Sequence, residues 1–139
     1  LSKSGDNAAL TSWFLGVIAS IQGDKALSGK YIAEAIDRGF RVPSSKDTLE
    51  FVLQNLEENN DYRHIVSVLR SVVTLDDQNR SLVTGVNYLR LAYALGNIAR
   101  YDDARAAASR AVELDPTLET PVSAFLSQLE LARQGKNPN

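Results

Sequence analysis

One pattern in this chain of 139 residues constrains its fold more than any other feature. Pairs of apolar faces at helical spacing, joined by a short turn, recur along it at nearly constant intervals. The clearest pair runs from Gly85 to Pro116. In its first half Tyr88, Leu91, Ala92 and Leu95 fall on one helical face; in its second half Ala104, Ala108 and Ala111 do the same. Asp115-Pro116 closes the pair, because proline disfavours helix at the residue before it. Earlier, Leu49, Val52, Leu53 and Leu56 make a matching first face, and Tyr62 to Asp77 aligns with Tyr101 to Pro116. Earlier still, Leu15-Gly16 and Ala19 precede a turn at Gly23, and Ser28, Ile32 and Ala35 follow it. Ala35, Val72 and Ala111 are equivalent, which gives steps of 37 (72 − 35) and 39 (111 − 72) residues.

Composition agrees with a helical domain. Hydrophobic residues make up 44% and charged residues 23%, the balance of a chain that can bury a core. The 8 glycines and 4 prolines sit mainly between the apolar segments, where turns are needed. The expected helices are 7–22, 25–38, 46–58, 61–75, 82–98, 101–114 and 120–133. In the last, Thr120 is the expected cap, Pro121 suits the first position, and Val122, Phe125, Leu126 and Leu129 form the apolar face. Residues 134–139 read as a frayed end. The expected fold is all-α, a single domain over 1–139: a helical-hairpin solenoid with repeats at about 7–40, 46–79 and 85–118. Its capping helix, at about 120–133, covers the exposed end of the third repeat.

The residues of the third pair resemble the tetratricopeptide repeat (TPR) family. That pattern has a large aromatic, a Leu with a small residue after it and a further large residue on the first helix. The second helix carries an early small residue, a residue one turn on, a later small residue and a closing proline. Here those places hold Tyr88, Leu91-Ala92, Leu95, Ala104, Ala108, Ala111 and Pro116. Small residues serve close approach, since two helices interlock only where one presents a flat surface to the other's knob. The other pairs depart from the pattern. Leu53, Ile65 and Val72 stand where small residues belong, Asp77 replaces the proline, and Trp13 lies one place later than the usual aromatic.

Several function classes find no support. The net charge of −2, with no Lys/Arg stripe, does not suit nucleic acid. With Cys 0 in the count there is no disulfide, thiolate metal site or Cys nucleophile. The longest apolar run, Trp13 to Ile21, is too short to span a bilayer and lacks the basic flank of a signal peptide. Because the chain opens on Leu1, it is expected to be a processed product or a piece of a longer protein. His64, the single histidine, has Asn60, Asp61, Ser67 and Val68 as helical neighbours, so a structural or solvated role is expected. The carboxylate pairs Glu57-Glu58, Asp76-Asp77 and Asp102-Asp103 fall at helix ends. No glycine run forms a phosphate loop. The expectation is no enzyme: no catalytic, cofactor or metal residues, and no cofactor.

The TPR resemblance implies that the first helix of each pair lines a concave face. Carried over, that face holds Leu10, Trp13, Val17 and Ile21, then Asp47, Glu50, Gln54, Glu57 and Glu58, then Val86, Leu89, Tyr93 and Asn97. Trp13, Val17, Glu50, Gln54, Glu57, Leu89, Tyr93 and Asn97 are the expected partner-binding set. An acidic middle between apolar ends suits a protein or peptide partner with basic residues beside apolar anchors. The Lys/Asn clamp that some TPR domains use on chaperone C-termini is missing, since Trp13 and Val17 occupy those places. The function expected is an interaction scaffold. The alternative is an assembly module: the soluble tail of a larger bacterial envelope or membrane protein, or a self-associating subunit. In the alternative, Leu10 and Trp13 pack on an upstream repeat or a second copy. The tail reading suits an extracytoplasmic setting, but nothing in the sequence fixes the compartment.

Overall fold

A computed structural model describes residues 2–42, 45–74 and 81–135, with the side chains of 2–6 and 74 left aside. Pro43, Ser44, Leu75 to Arg80 and residues 136–139 lie outside the described residues, and with them the Asp76-Asp77 pair. The chain is all-helical. Its helices are α1 (Ser2–Ile21), α2 (Lys25–Asp37), α3 (Lys46–Glu58), α4 (Tyr62–Thr74), α5 (Gly85–Asn97), α6 (Tyr101–Leu114) and α7 (Glu119–Arg133). A 3₁₀ turn, Pro116–Leu118, leads into α7. Contacts divide the chain into two compact units, Leu1–His64 and Ile65–Asn139, so the boundary falls inside α4.

Local chemistry explains where the helices begin and end. Asp24, Ser45 and Thr84 cap α2, α3 and α5, each side chain accepting a hydrogen bond from the backbone N–H three residues on. α1, α3 and α5 end in the same way. Asp24, Asp61 and Arg100 donate their backbone N–H groups to the carbonyls of Ala19, Leu56 and Leu95. Gly23, Asn60 and Ala99 donate to Ser20, Glu57 and Gly96. This pairing needs a left-handed residue at the turn. Gly23, Asn60 and Ala99 supply it with φ of 82°, 53° and 62°. The three turn residues are 37 (60 − 23) and 39 (99 − 60) apart, the same steps that the apolar pattern shows.

In the first unit α1 and α2 form a tight hairpin. α1 presents its small side, with Ala9, Ser12, Gly16 and Ala19 buried, and α2 answers with buried Ser28, Ile32 and Ala35. A Cβ on Gly16 would stand 2.8 Å from Ile32 Cγ1, so only glycine allows this approach. Ser28 Oγ donates to the Gly16 carbonyl at 2.8 Å, which satisfies a hydroxyl with no solvent exposure. Arg38 reaches back from the end of α2 to Ser12 Oγ at 3.1 Å. α3 packs on α2 and buries Leu49, Val52, Leu53 and Leu56. Asn59 ties the end of α3 to the start of α2 by donating to the Lys25 carbonyl at 3.1 Å.

In the second unit α5 and α6 form the corresponding hairpin around Leu91, Ala92, Leu95, Ala104, Ala108 and Ala111, all buried. A Cβ on Gly85 would meet the Ala111 carbonyl oxygen at 2.7 Å. α4 contributes buried Ile65, Val66, Val68, Leu69, Val72 and Val73. α7 packs on α6 and α5 through Val122, Phe125 and Leu129.

Expected helix starts move in α1, α5 and α7. α5 begins at Gly85 instead of residue 82, with Thr84 as its cap. α1 begins at Ser2 instead of residue 7, because the polar segment Ser2–Asp6 carries no apolar period to reveal the helix. The start of α7 is a correction. Thr120 is not its cap; α7 begins at Glu119 with no side-chain cap. Asp115 instead caps the 3₁₀ turn by accepting from Thr117 N at 3.1 Å and Thr117 Oγ1 at 2.5 Å. Pro121 still sits in the first turn of α7, where its missing N–H costs nothing.

Candidate functional site

The first unit carries a face on which aromatic rings and carboxylates meet. Trp13, on α1, stacks on Phe40 with ring centroids 4.5 Å apart and planes 13° apart. It also meets the edge of Phe51, on α3, at 5.8 Å. All three rings are only half-buried. Phe51 stands next to Glu50 and shares a helical face with Asp47 and Gln54, four residues before and three after it. Asp47, Glu50, Gln54, Glu57 and Glu58 are all exposed, opposite the buried row of Leu49, Val52, Leu53 and Leu56. Gln54 donates to Glu58 at 3.3 Å, and Lys25 approaches the same carboxylate at 3.8 Å. The other carboxylate of the pair, Glu57, also has interactions of its own. Val17 lies one turn along α1 from Trp13 and is half-buried. Trp13, Glu50, Gln54 and Glu57 thus belong to one unit, the first two linked through Phe51.

Leu89, Tyr93 and Asn97 lie on α5 in the second unit. Leu89 is buried, so its side chain belongs to the core of the unit. Tyr93 is 43% exposed and presses its ring on the edge of Phe125, from α7, at 4.7 Å and 72°. Asn97 is exposed and donates to the Tyr93 carbonyl at 2.8 Å. Beside these, Arg70, Val73, Tyr88, Leu91, Leu95, Asp103, Ala106 and Ala107 line a cleft of about 260 Å³. Asp103 is held there by two cations, Arg70 at 3.3 Å and Arg100 at 2.9 Å. A carboxylate so engaged is an anchor between α4 and α6, as expected of a charge at a helix start.

His64 takes part in a bridge that its helical neighbours only half reveal. Its Nδ1 lies 2.8 Å from Asp61 Oδ1, and its Nε2 lies 2.8 Å from Asp37 Oδ1. Asp61 also accepts the His64 backbone N–H at 3.3 Å, so one carboxylate caps α4 and orients the ring. Partial burial pulls the imidazole pKa down; the hydrogen bonds to Asp61 and Asp37 outweigh that pull and leave it raised. With an acceptor at each nitrogen, the doubly protonated ring satisfies both. The signal for Asp61 is its spacing of three residues from His64. Asp37 lies on another helix, 27 residues away, and no local pattern points to it.

Phe40 and Phe51 are the other residues that sequence reasoning passed over. Phe40 follows a helix stop, and Phe51 directly follows Glu50; only packing on Trp13 joins them. Among the described residues no three or more His, Asp or Glu side chains are grouped to hold a metal ion. No described helix is long and apolar enough to cross a membrane. Compared with known proteins, the chain matches no protein-family model and no curated sequence.

Proposed function

We propose that this chain is an interaction module of TPR-like helical hairpins that holds a peptide or helix from a partner protein. The observation that carries the reading is the juxtaposition of the Trp13–Phe40–Phe51 cluster with the acidic row of α3. Half-exposed rings provide rigid apolar area at low entropic cost, and exposed carboxylates set orientation and favour a cationic partner. Glu50, Gln54 and Glu57 supply the polar row, with Trp13 and Val17 at its apolar side. Tyr93 and Asn97 offer a smaller exposed patch on α5. The regular turns at Gly23, Asn60 and Ala99 support the hairpin-repeat part of the reading. Such a frame holds side chains at fixed spacing and suits recognition by surface.

Trp13 is the only tryptophan, so it reports binding directly. In a titration with basic amphipathic peptides, Lys/Arg beside Leu/Phe, its emission should change saturably. Glu50→Lys with Glu57→Lys should weaken the tightest peptide on the order of 10-fold, the usual scale for reversing charges that face a partner. Equal binding by wild type, the double variant and Trp13→Ala would remove the proposal.

A second reading, an assembly module, is favoured by a separate observation: the exposed large apolar side chains of α1.

A further inference from the structure

α1 is packed the opposite way round from an ordinary surface helix. Its small residues, Ala9, Ser12, Gly16 and Ala19, face α2 and are buried. Its large apolar residues, Leu10, Phe14, Leu15, Ile18 and Ile21, are exposed, with Phe14 at 54%, Ile18 at 49% and Ile21 at 80%. Leu10, Phe14 and Ile18 are four residues apart and form a ridge along the helix; Ile21 extends it and Leu15 flanks it. From their fractional exposures, these five side chains present roughly 500 Å², at the upper end for the largest apolar patch of a monomer. No charged residue occurs between Asn7 and Gly23.

The second hairpin buries two of the five corresponding positions. At the interval of 76 (99 − 23) that relates the two turns, Leu15 corresponds to Leu91 and Ile18 to Ala94. Leu91 and Ala94 are buried, and Leu91 lines the cleft shared with Arg70 and Val73 of α4. On α1 the residues that correspond to Leu91 and Ala94 are bare.

We infer that the bare face of α1 is a self-association surface, on which the α1 of a second copy packs. Two observations select a second copy over a different partner. The ridge carries no charge, so a two-fold axis through it opposes no like charges, whereas a charged partner would find no ion pair along it. The area is also sufficient: a symmetric contact buries on the order of 1,000 Å² in all, the lower bound for a specific interface. Leu10, Phe14 and Ile18 of each copy would interdigitate as matching ridges, with Phe14 and Ile18 nearest the axis. This surface gives the assembly reading its partner and adjoins the acidic–aromatic face, since Leu10 and Ile21 lie on the side of α1 that carries Trp13 and Val17. The carboxylates of α3 lie outside it, so Glu50→Lys with Glu57→Lys tests peptide binding without touching the pairing ridge.

Sedimentation equilibrium on the full chain, from low micromolar to several hundred micromolar, tests the inference. The mass should rise from that of the 15.2 kDa chain toward twice that value. Phe14→Glu with Ile18→Glu should hold it at the single-chain mass at every concentration, with far-ultraviolet ellipticity unchanged. Ile21→Lys, at the most exposed position of the row, should weaken pairing independently and guards against a folding defect in the double variant. A wild-type chain that stays monomeric throughout overturns the inference and leaves the face to another segment or another protein. A dimer that survives Phe14→Glu with Ile18→Glu and also Ile21→Lys overturns it equally.

Discussion

At the scale of single residues, the three left-handed turns that end α1, α3 and α5 make an internal experiment. The same backbone conformation is occupied by Gly23, Asn60 and Ala99. Glycine takes it freely and asparagine tolerates it, but alanine places its Cβ against the neighbouring carbonyl. Ala99→Gly should therefore stabilise the chain, by up to about 1 kcal/mol once the greater freedom of the unfolded glycine is subtracted. Urea unfolding followed by ellipticity measures the gain, and a loss of stability would contradict the strain argument. The turn positions themselves are legible in sequence, because polar or glycine residues interrupt the apolar faces there. The alanine at the third turn is not: nothing about Ala99 alone signals a left-handed backbone. Leu89 and Leu15 mark the same limit. Leu89 falls on the face expected to bind and is buried, while Leu15 matches a core leucine and is exposed. Periodicity tells which residues share a face but not which face is covered.

At the scale of elements, His64 joins the start of α4 to the end of α2 through Asp61 and Asp37. Its pKa is raised in the folded chain, so the folded state binds the proton more tightly than the unfolded one. The contribution is fully present below the ordinary histidine value of about 6.5 and is lost as pH rises through the raised value. Asp37 is largely exposed, which screens its arm of the bridge, so the whole effect is on the order of 1 kcal/mol or less. His64→Gln should unfold more readily than wild type near pH 6 and approach it at pH 8 and above. Urea midpoints at the two pH values test this, and an equal deficit at both would show that the ring acts by packing alone. The helices were largely readable from sequence, since apolar spacing, caps and stops agree along most of the chain. The bridge was readable only in part, because Asp37 meets His64 through the packing of α2 and not through any spacing along α4. The early start of α1 and the 3₁₀ turn before α7 escaped for a similar reason: neither has an apolar period.

At the scale of the whole molecule, the chain offers two surfaces of opposite character. One combines rings and carboxylates; the other is apolar and uncharged along α1. If copies pair through α1, the thermal midpoint of wild type depends on protein concentration, because association draws on the folded state alone. Scans at low and at several hundred micromolar should separate for wild type and coincide for Phe14→Glu with Ile18→Glu. Coincident wild-type scans would argue against pairing.

The stacked pair of Trp13 and Phe40 has a spectroscopic consequence. As the sole indole of the chain, Trp13 lies in the unit Leu1–His64, and the unit Ile65–Asn139 has none. Emission during unfolding therefore follows the first unit only, whereas ellipticity sums the helices of both. Overlaying the two traces turns an uneven distribution of chromophores into a measure of cooperativity: superposed curves mean one transition, and separated curves give the order in which the two halves come apart.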